Sequence, residues 1–111
     1  MRNRKLLMAA FRYAAMDVLR ILEKQSGLLR LIVYLAHEGE KPLTEVLEET
    51  KIPVHQLYSS IERAMAMGLV GSRIDSNGYP ARNLIFCTLK GRKVARKLQE
   101  IIQVVDSGRT D

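Results

Sequence analysis

Tryptophan is absent, cysteine occurs once as Cys87, and only 5% of the 111 residues are aromatic. A lone thiol cannot close a disulfide within the chain, so a reducing, cytoplasmic compartment is the expectation. With so few rings the core must be built from Leu, Ile, Val, Ala and Met, a mixture that favours helices. Histidine is nearly missing too. His37 and His55 are the only two, and with Cys87 they form neither metal-ligand spacing nor a triad-like cluster. The seven glycines stand singly at breaks, which leaves no glycine-rich phosphate loop. No apolar run reaches the length of about 18 residues needed to span a bilayer. These absences count against an enzyme, a metal or cofactor protein and a membrane protein.

What is present fits one folded domain. Hydrophobic residues make up 47% and charged residues 27%, which excludes global disorder. At this length roughly two-thirds of the unfolded surface can be buried, enough for one modest core. The net charge is +6, and the pI is about 9.8. A basic domain concentrates near polyanions, of which nucleic acid is the commonest. The excess is uneven. Residues 1–24 carry six basic and two acidic side chains, and residues 52–92 carry five and two. Residues 25–51 are net acidic, with three basic and five acidic side chains. The acidic run Glu38, Glu40, Glu45, Glu48 and Glu49 lacks cation-ligand spacing and reads as a solvated face.

Apolar spacing organises the chain into helices and one hairpin. Leu6, Leu7, Ala10, Phe11, Ala14, Val18, Ile21 and Leu22 predict an amphipathic helix over 3–24. Its opening MRNRKLLMAAFRYAAM imitates a transit peptide, but the periodicity runs on unbroken beyond it. Ser26-Gly27 interrupts, and LLRLIVYLA predicts a core helix ending at Gly39. Pro42-Leu43-Thr44 opens a short third helix with Thr44 as its N-cap. Pro53 suits the first turn of a fourth helix, with Leu57, Ile61, Ala64 and Met65 inward and Gly68-Leu69 closing it. LVGSRID and ARNLIFCTL flank Asn77-Gly78, a strong hairpin signal because both residues tolerate the positive φ of a type I′ turn. Pro80 limits pairing beside the tip, so the loop can exceed two residues. Thr88 caps a last helix carrying Val94, Leu98, Ile101, Ile102 and Val105 on one stripe. Met8, Met16, Met65 and Met67 read as core or interface filler.

Two short helices joined by a tight turn are the helix-turn-helix unit, and a following hairpin supplies a wing. From Leu28 to Leu98 the chain resembles the winged helix-turn-helix transcriptional regulators of the MarR/ArsR type. Thr44-Glu45-Val46-Leu47 match the supporting helix and Ile52-Pro53 the turn. Leu57, Ile61 and Ala64 match the buried positions of the recognition helix, and Gly68-Leu69-Val70 the entry to the wing. Asn77-Gly78 falls at the wing tip, and Cys87-Thr88-Leu89-Lys90-Gly91 at the step into the closing helix. The sequence departs from that pattern at Lys51, where such turns often carry Gly, at Pro53, where Ser or Thr usually caps, and at Ala64, where Leu is common.

The fold implied is mainly α with a small β-hairpin, a winged helix-turn-helix with extra terminal helices. Residues 1–25 and 90–106 would form dimerisation helices around a 27–91 module. The recognition helix (53–67) would enter the major groove of double-stranded DNA, with the wing (70–88) on the backbone or minor groove. The residues this assigns to DNA are Thr44, Val54, His55, Gln56, Tyr58, Ser59, Arg63, Arg73, Asn77 and Arg82. Gln56 has the geometry to pair with adenine, and Arg63 with guanine or phosphate. Tyr58 and Ser59 suit phosphate oxygens, and Val54 a thymine methyl. Arg73 and Arg82 flank the wing, where guanidinium groups meet phosphates or a narrow minor groove. For each, the plain alternative is a solvated surface residue.

In the family, terminal helices make the dimer, which assigns Leu7, Phe11, Ala14, Val18, Leu98, Ile101, Ile102 and Val105 to a homodimer interface. Wide apolar stripes need a partner surface, although both helices could instead pack on their own module. No effector ligand is marked by the sequence. Cys87, in the IFCTL strand, reads as buried and inert, with oxidant sensing the alternative. The rival to DNA binding is a winged helix that binds protein, because the recognition helix holds one cation, Arg63, beside Glu62. Double-stranded RNA fits least, since its deep, narrow major groove excludes a reading helix.

Overall fold

The computed structural model describes residues 15–107. Helix α1 covers residues 15–24, the described part of the first amphipathic segment. It leads to α2 (Leu28–Glu38), a two-residue strand β1 (Lys41–Pro42), α3 (Leu43–Thr50) and α4 (Val54–Ala66). Strands β2 (Val70–Asp75) and β3 (Arg82–Cys87) form the wing, and α5 (Leu89–Ser107) closes the order.

The apolar α2 is the centre of the core, as its composition requires. Leu28, Leu31, Ile32 and Leu35 are fully enclosed and meet Val46 of α3, Leu57, Ile61 and Ala64 of α4, and Ile85 and Cys87 of β3. Gly39 ends the helix at φ 84°, donating its N–H to the Leu35 carbonyl at 2.9 Å. With ψ at −161°, this is a positive-φ conformation that glycine adopts freely and other residues rarely do.

The sheet has three strands in the order β1-β3-β2, all antiparallel. The sequence showed only the hairpin. The third strand is Lys41–Pro42, which pairs with Ile85 and Leu84. Two residues are too short for a period, and proline is tolerated only because this is an edge. The same strand corrects the N-cap expected at Thr44. Pro42 holds the cap position at φ −62°, ψ 145° without a side-chain cap bond, and α3 starts at Leu43. Thr44 therefore lies exposed in the first turn. Pro53 likewise sits at the cap position, one residue before α4.

The hairpin tip also departs from expectation. The ladder stops at Asp75↔Arg82, leaving residues 76–81 as a six-residue loop. Among the described residues the glycines with positive φ are Gly27, Gly39 and Gly68, so Asn77-Gly78 does not form the type I′ turn. The Asn77 N–H instead bonds the Asp75 side chain at 3.1 Å. Pro80 has no N–H with which to extend the ladder. Met65, expected inward, is 43% exposed, and Ser60 takes the buried position instead at 0%.

Candidate nucleic-acid interface

The helix-turn-helix is α3, the turn 51–53 and α4. Lys51 makes the turn by adopting the left-handed conformation, φ 56° and ψ 22°. This is the position where the resembling turns carry Gly. Thr50 tightens it: its hydroxyl donates to the Val46 carbonyl at 2.6 Å and accepts from the Ile52 N–H at 3.4 Å. Ile52 then drops into the core, 1% exposed.

One face of α4 is committed to the core by Leu57, Ser60, Ile61 and Ala64. The Ser60 hydroxyl donates to the Ser26 carbonyl at 3.0 Å and accepts from the Gln25 amide at 3.4 Å. Gln25 also reaches the Gln56 carbonyl at 3.5 Å. The turn between α1 and α2 is thereby pinned to one flank of α4. At 100° per residue, Val54 and Tyr58 occupy the opposite flank, His55 and Ser59 the crest, and Arg63 and Gln56 the flank beside α1. Val54, His55, Tyr58, Ser59 and Arg63 are exposed, while Gln56 is half-buried. Six of the sequence-assigned residues thus share α4, and Thr44 lies on α3.

The wing is rooted by a compact set of bonds. Leu69 N–H to the Ala64 carbonyl at 2.9 Å and Gly68 N–H to the Met65 carbonyl at 3.0 Å close α4 in a Schellman arrangement. Thr88 caps α5, accepting the Gly91 N–H at 3.0 Å, and its hydroxyl donates to the Gly68 carbonyl at 2.6 Å. Lys90 places its ammonium 2.9 Å from the Met67 carbonyl, at the negative end of α4. Strand β2 begins from this knot.

Both wing arginines already have partners. Arg73 donates from Nε and from Nη2 to the two carboxylate oxygens of Glu40, each at 2.7 Å. That hydrogen bonding holds the Glu40 carboxyl below its ordinary value. Arg82 lies 3.5 Å from Asp75 across the ladder. Asn77 is in the exposed loop. The sequence reading missed Tyr79, which is fully solvent-exposed at 102%, and Ile74, exposed at 71% on β2. A strand pattern gives no reason to expect an outward Ile there.

Cys87 is buried and donates from Sγ to the Ile32 carbonyl at 3.4 Å. Burial pushes its thiol up, with Arg92 opposing the shift. Among the described residues no three His, Cys, Asp or Glu side chains are grouped to hold a metal ion. Among the same residues no helix is long and apolar enough to cross a membrane.

The interface residues assigned to α1 and α5 divide. Leu7, Phe11 and Ala14 lie outside the described residues. Val18, Ile101, Ile102 and Val105 are exposed, and Leu98 is half-buried. Leu98, Ile101 and Ile102 line a nearly all-apolar groove of about 460 Å³ with Leu29, Val33 and Tyr34 of α2.

No family model and no curated protein matches the chain by sequence. Solved structures do match. NadR, solved in complex with 4-hydroxyphenylacetate, is 25% identical, with a TM-score of 0.65 over 96% of this chain and 77% of that one. A MarR-family regulator of Enterococcus faecalis V583 is 17% identical, with a TM-score of 0.71 over 88% of both chains. BpsR of Bordetella bronchiseptica, whose DNA binding is regulated by 6-hydroxynicotinic acid, is 17% identical at a TM-score of 0.65, over 93% of this chain and 83% of its own. The α1–α5 arrangement with its three-stranded wing is the winged helix-turn-helix fold of the MarR-type transcriptional regulators.

Proposed function

We propose that this protein is a dimeric transcriptional regulator that binds double-stranded DNA, with α4 in the major groove and the β2–β3 wing on the backbone or minor groove. The observation that carries the reading is the division of α4. Leu57, Ser60, Ile61 and Ala64 anchor it, which leaves His55, Ser59, Glu62 and Arg63 outward on a helix that leads directly into a wing. A helix about 10–12 Å across fits a major groove about 12 Å wide. The net charge of +6 supplies the non-specific attraction. The exposed apolar faces of α1 and α5 would make the homodimer, and two-fold symmetry matches paired half-sites. No catalytic role is proposed.

The test is binding to random-sequence duplex DNA at low and moderate salt, with Arg63→Ala and Arg73→Ala/Arg82→Ala alongside. Affinity that falls steeply with salt, and falls further in Arg63→Ala while the fold survives, supports the reading. Absence of binding even at low salt sinks it. A second reading, a protein-binding winged helix, is favoured by one observation: Arg73 and Arg82 are already paired with carboxylates. Capture of a protein partner by a chain that ignores DNA would establish that alternative.

A further inference from the structure

Several cations of the described chain are held by carboxylates, while others, among them Arg30, Lys51, Arg92, Lys93 and Arg96, stand unpaired and away from one cleft. Arg73, Arg82, Lys41 and Lys97 are ion-paired to Glu40, Asp75, Glu45 or Glu49, and Glu100. Arg20, Lys24 and Arg63 have no ion pair or side-chain hydrogen bond among the described residues, yet they line that cleft. Its volume is about 320 Å³, and Ile21 and Gln25 complete the lining, so no carboxylate faces into it. Glu62 borders the neighbouring depression, which shares Gln25 and Arg63. Arg20 and Lys24 are four residues apart on α1 and share a face. Like charges at that spacing repel and destabilise a helix unless an anion lies between them. The cleft is not a product of loose packing, because Gln25 and Ser60 bolt this end of α1 to α4.

Its position identifies the anion. A helix seated in a major groove fills the width of that groove, so a phosphate backbone runs along each of its flanks. Arg63 stands on the α1 flank of α4, and the cleft opens there. We infer that Arg20 and Lys24, together with Arg63, clamp the phosphates of one DNA strand along this flank. The clamp would set the depth and register of α4 without reading sequence. This inference rests on the DNA-binding reading above, and it relocates the main electrostatic contact from the wing to the end of α1.

The experiment measures the affinity of the full chain for a random-sequence duplex as a function of salt, with Arg20→Ala/Lys24→Ala and Arg20→Gln/Lys24→Gln compared with the unaltered protein. Each lost phosphate contact removes roughly 0.9 from the slope of log K against log salt, so the double variants should lose about 1.8. Their thermal transitions should lie at or slightly above the parent's, since both side chains are solvent-exposed and their mutual repulsion is removed. The Gln pair keeps the helix and the side-chain bulk, which covers the case where the Ala pair fails to fold. If the parent binds and the folded double variant shows the same slope, the clamp is overturned while DNA binding stands. If the parent binds no duplex, both are overturned.

Discussion

The α-carbon of Gly91 faces the carbonyl oxygen of Leu69 so closely that any Cβ at residue 91 would overlap it. The same carbonyl accepts the Thr88 N–H at 3.1 Å. The root of the wing and the first turn of α5 are thus joined backbone to backbone, where neither can yield as a flexible side chain would. Gly91→Ala should therefore destabilise by about 1–3 kcal/mol through overpacking. Gly78→Ala is the contrasting case, since a Cβ there meets nothing within 4 Å. It should be neutral or stabilise by roughly 0.4–1 kcal/mol. Urea midpoints of the two variants check both, and equal midpoints would remove the close approach as an explanation.

Lys51 is strained by its positive φ, and a left-handed conformation costs a side-chain-bearing residue roughly 1–2 kcal/mol. Glycine recovers that strain but gives back part of it as unfolded-state entropy. Lys51→Gly should raise stability by about 0.5–1 kcal/mol in chemical denaturation. A loss of stability would mean that Lys51 contributes something its backbone does not reveal.

Ser60 is fully buried between the Gln25 amide and the Ser26 carbonyl. Ser60→Ala keeps the volume nearly constant and removes the hydroxyl from both partners, leaving the Gln25 amide its contact with the Gln56 carbonyl. The expected loss is about 0.5–1.5 kcal/mol, the net worth of an intramolecular hydrogen bond, because Gln25 is half-buried and Ser26 exposed, so water can replace the hydroxyl. Because this bond ties α1 to α4, the variant should also loosen amide-exchange protection at the end of α1. Protection unchanged there would show that the apolar contacts alone hold the helix.

Much of this arrangement was legible in the sequence. The apolar α2, the closing of α4 at Gly68-Leu69 and the Thr88 cap follow from periodicity and end signals that act within a few residues. What the sequence withheld depends on long-range pairing. Lys41-Pro42 becomes a strand only because β3 lies beside it. Ser60 becomes a core residue only because Ser26 and Gln25, more than thirty positions away, offer it bonds. For the candidate interface, residue type marked Arg73 and Arg82 as cations but could not show that Glu40 and Asp75 hold them. Nor could it show that Arg20 and Lys24 converge on Arg63.

Glu40→Gln should release Arg73. The pair is exposed and contributes little to stability, so thermal denaturation should hardly change, while a freed guanidinium adds one phosphate contact and steepens the salt slope by roughly 0.9. Acidification should do the same in the unaltered chain. Hydrogen bonding to Arg73 holds the Glu40 carboxyl below its ordinary 4.5. Whatever stability the pair gives is therefore present above that value and lost as pH falls through the lowered one. The Arg73 Nε–H resonance should move in that window. A slope unaltered in Glu40→Gln would mean that Arg73 does not meet DNA.

Tyr34 supplies the alkaline counterpart. Its hydroxyl is shut off from solvent and makes no hydrogen bond of good geometry, and the carboxylate of Glu49 lies near it. Burial, with the Glu49 charge next in size, pushes its pKa up from 10.0 to about 12. The phenol is an acid whose neutral form the fold prefers, so the stability it adds is full below 10, the unfolded value, and declines as pH rises toward 12. Spectrophotometric titration should show a late tyrosine step near the raised Tyr34 value, with Tyr34→Phe removing that step and flattening the alkaline loss of stability. Tyr34 also lines the apolar groove beside Ile101 and Ile102. If a second copy covers that groove, an Ile101→Asp variant should be monomeric by sedimentation equilibrium and its Tyr34 should titrate earlier than in the parent. A variant that stays dimeric, with the late step unmoved, would place the contact between copies elsewhere.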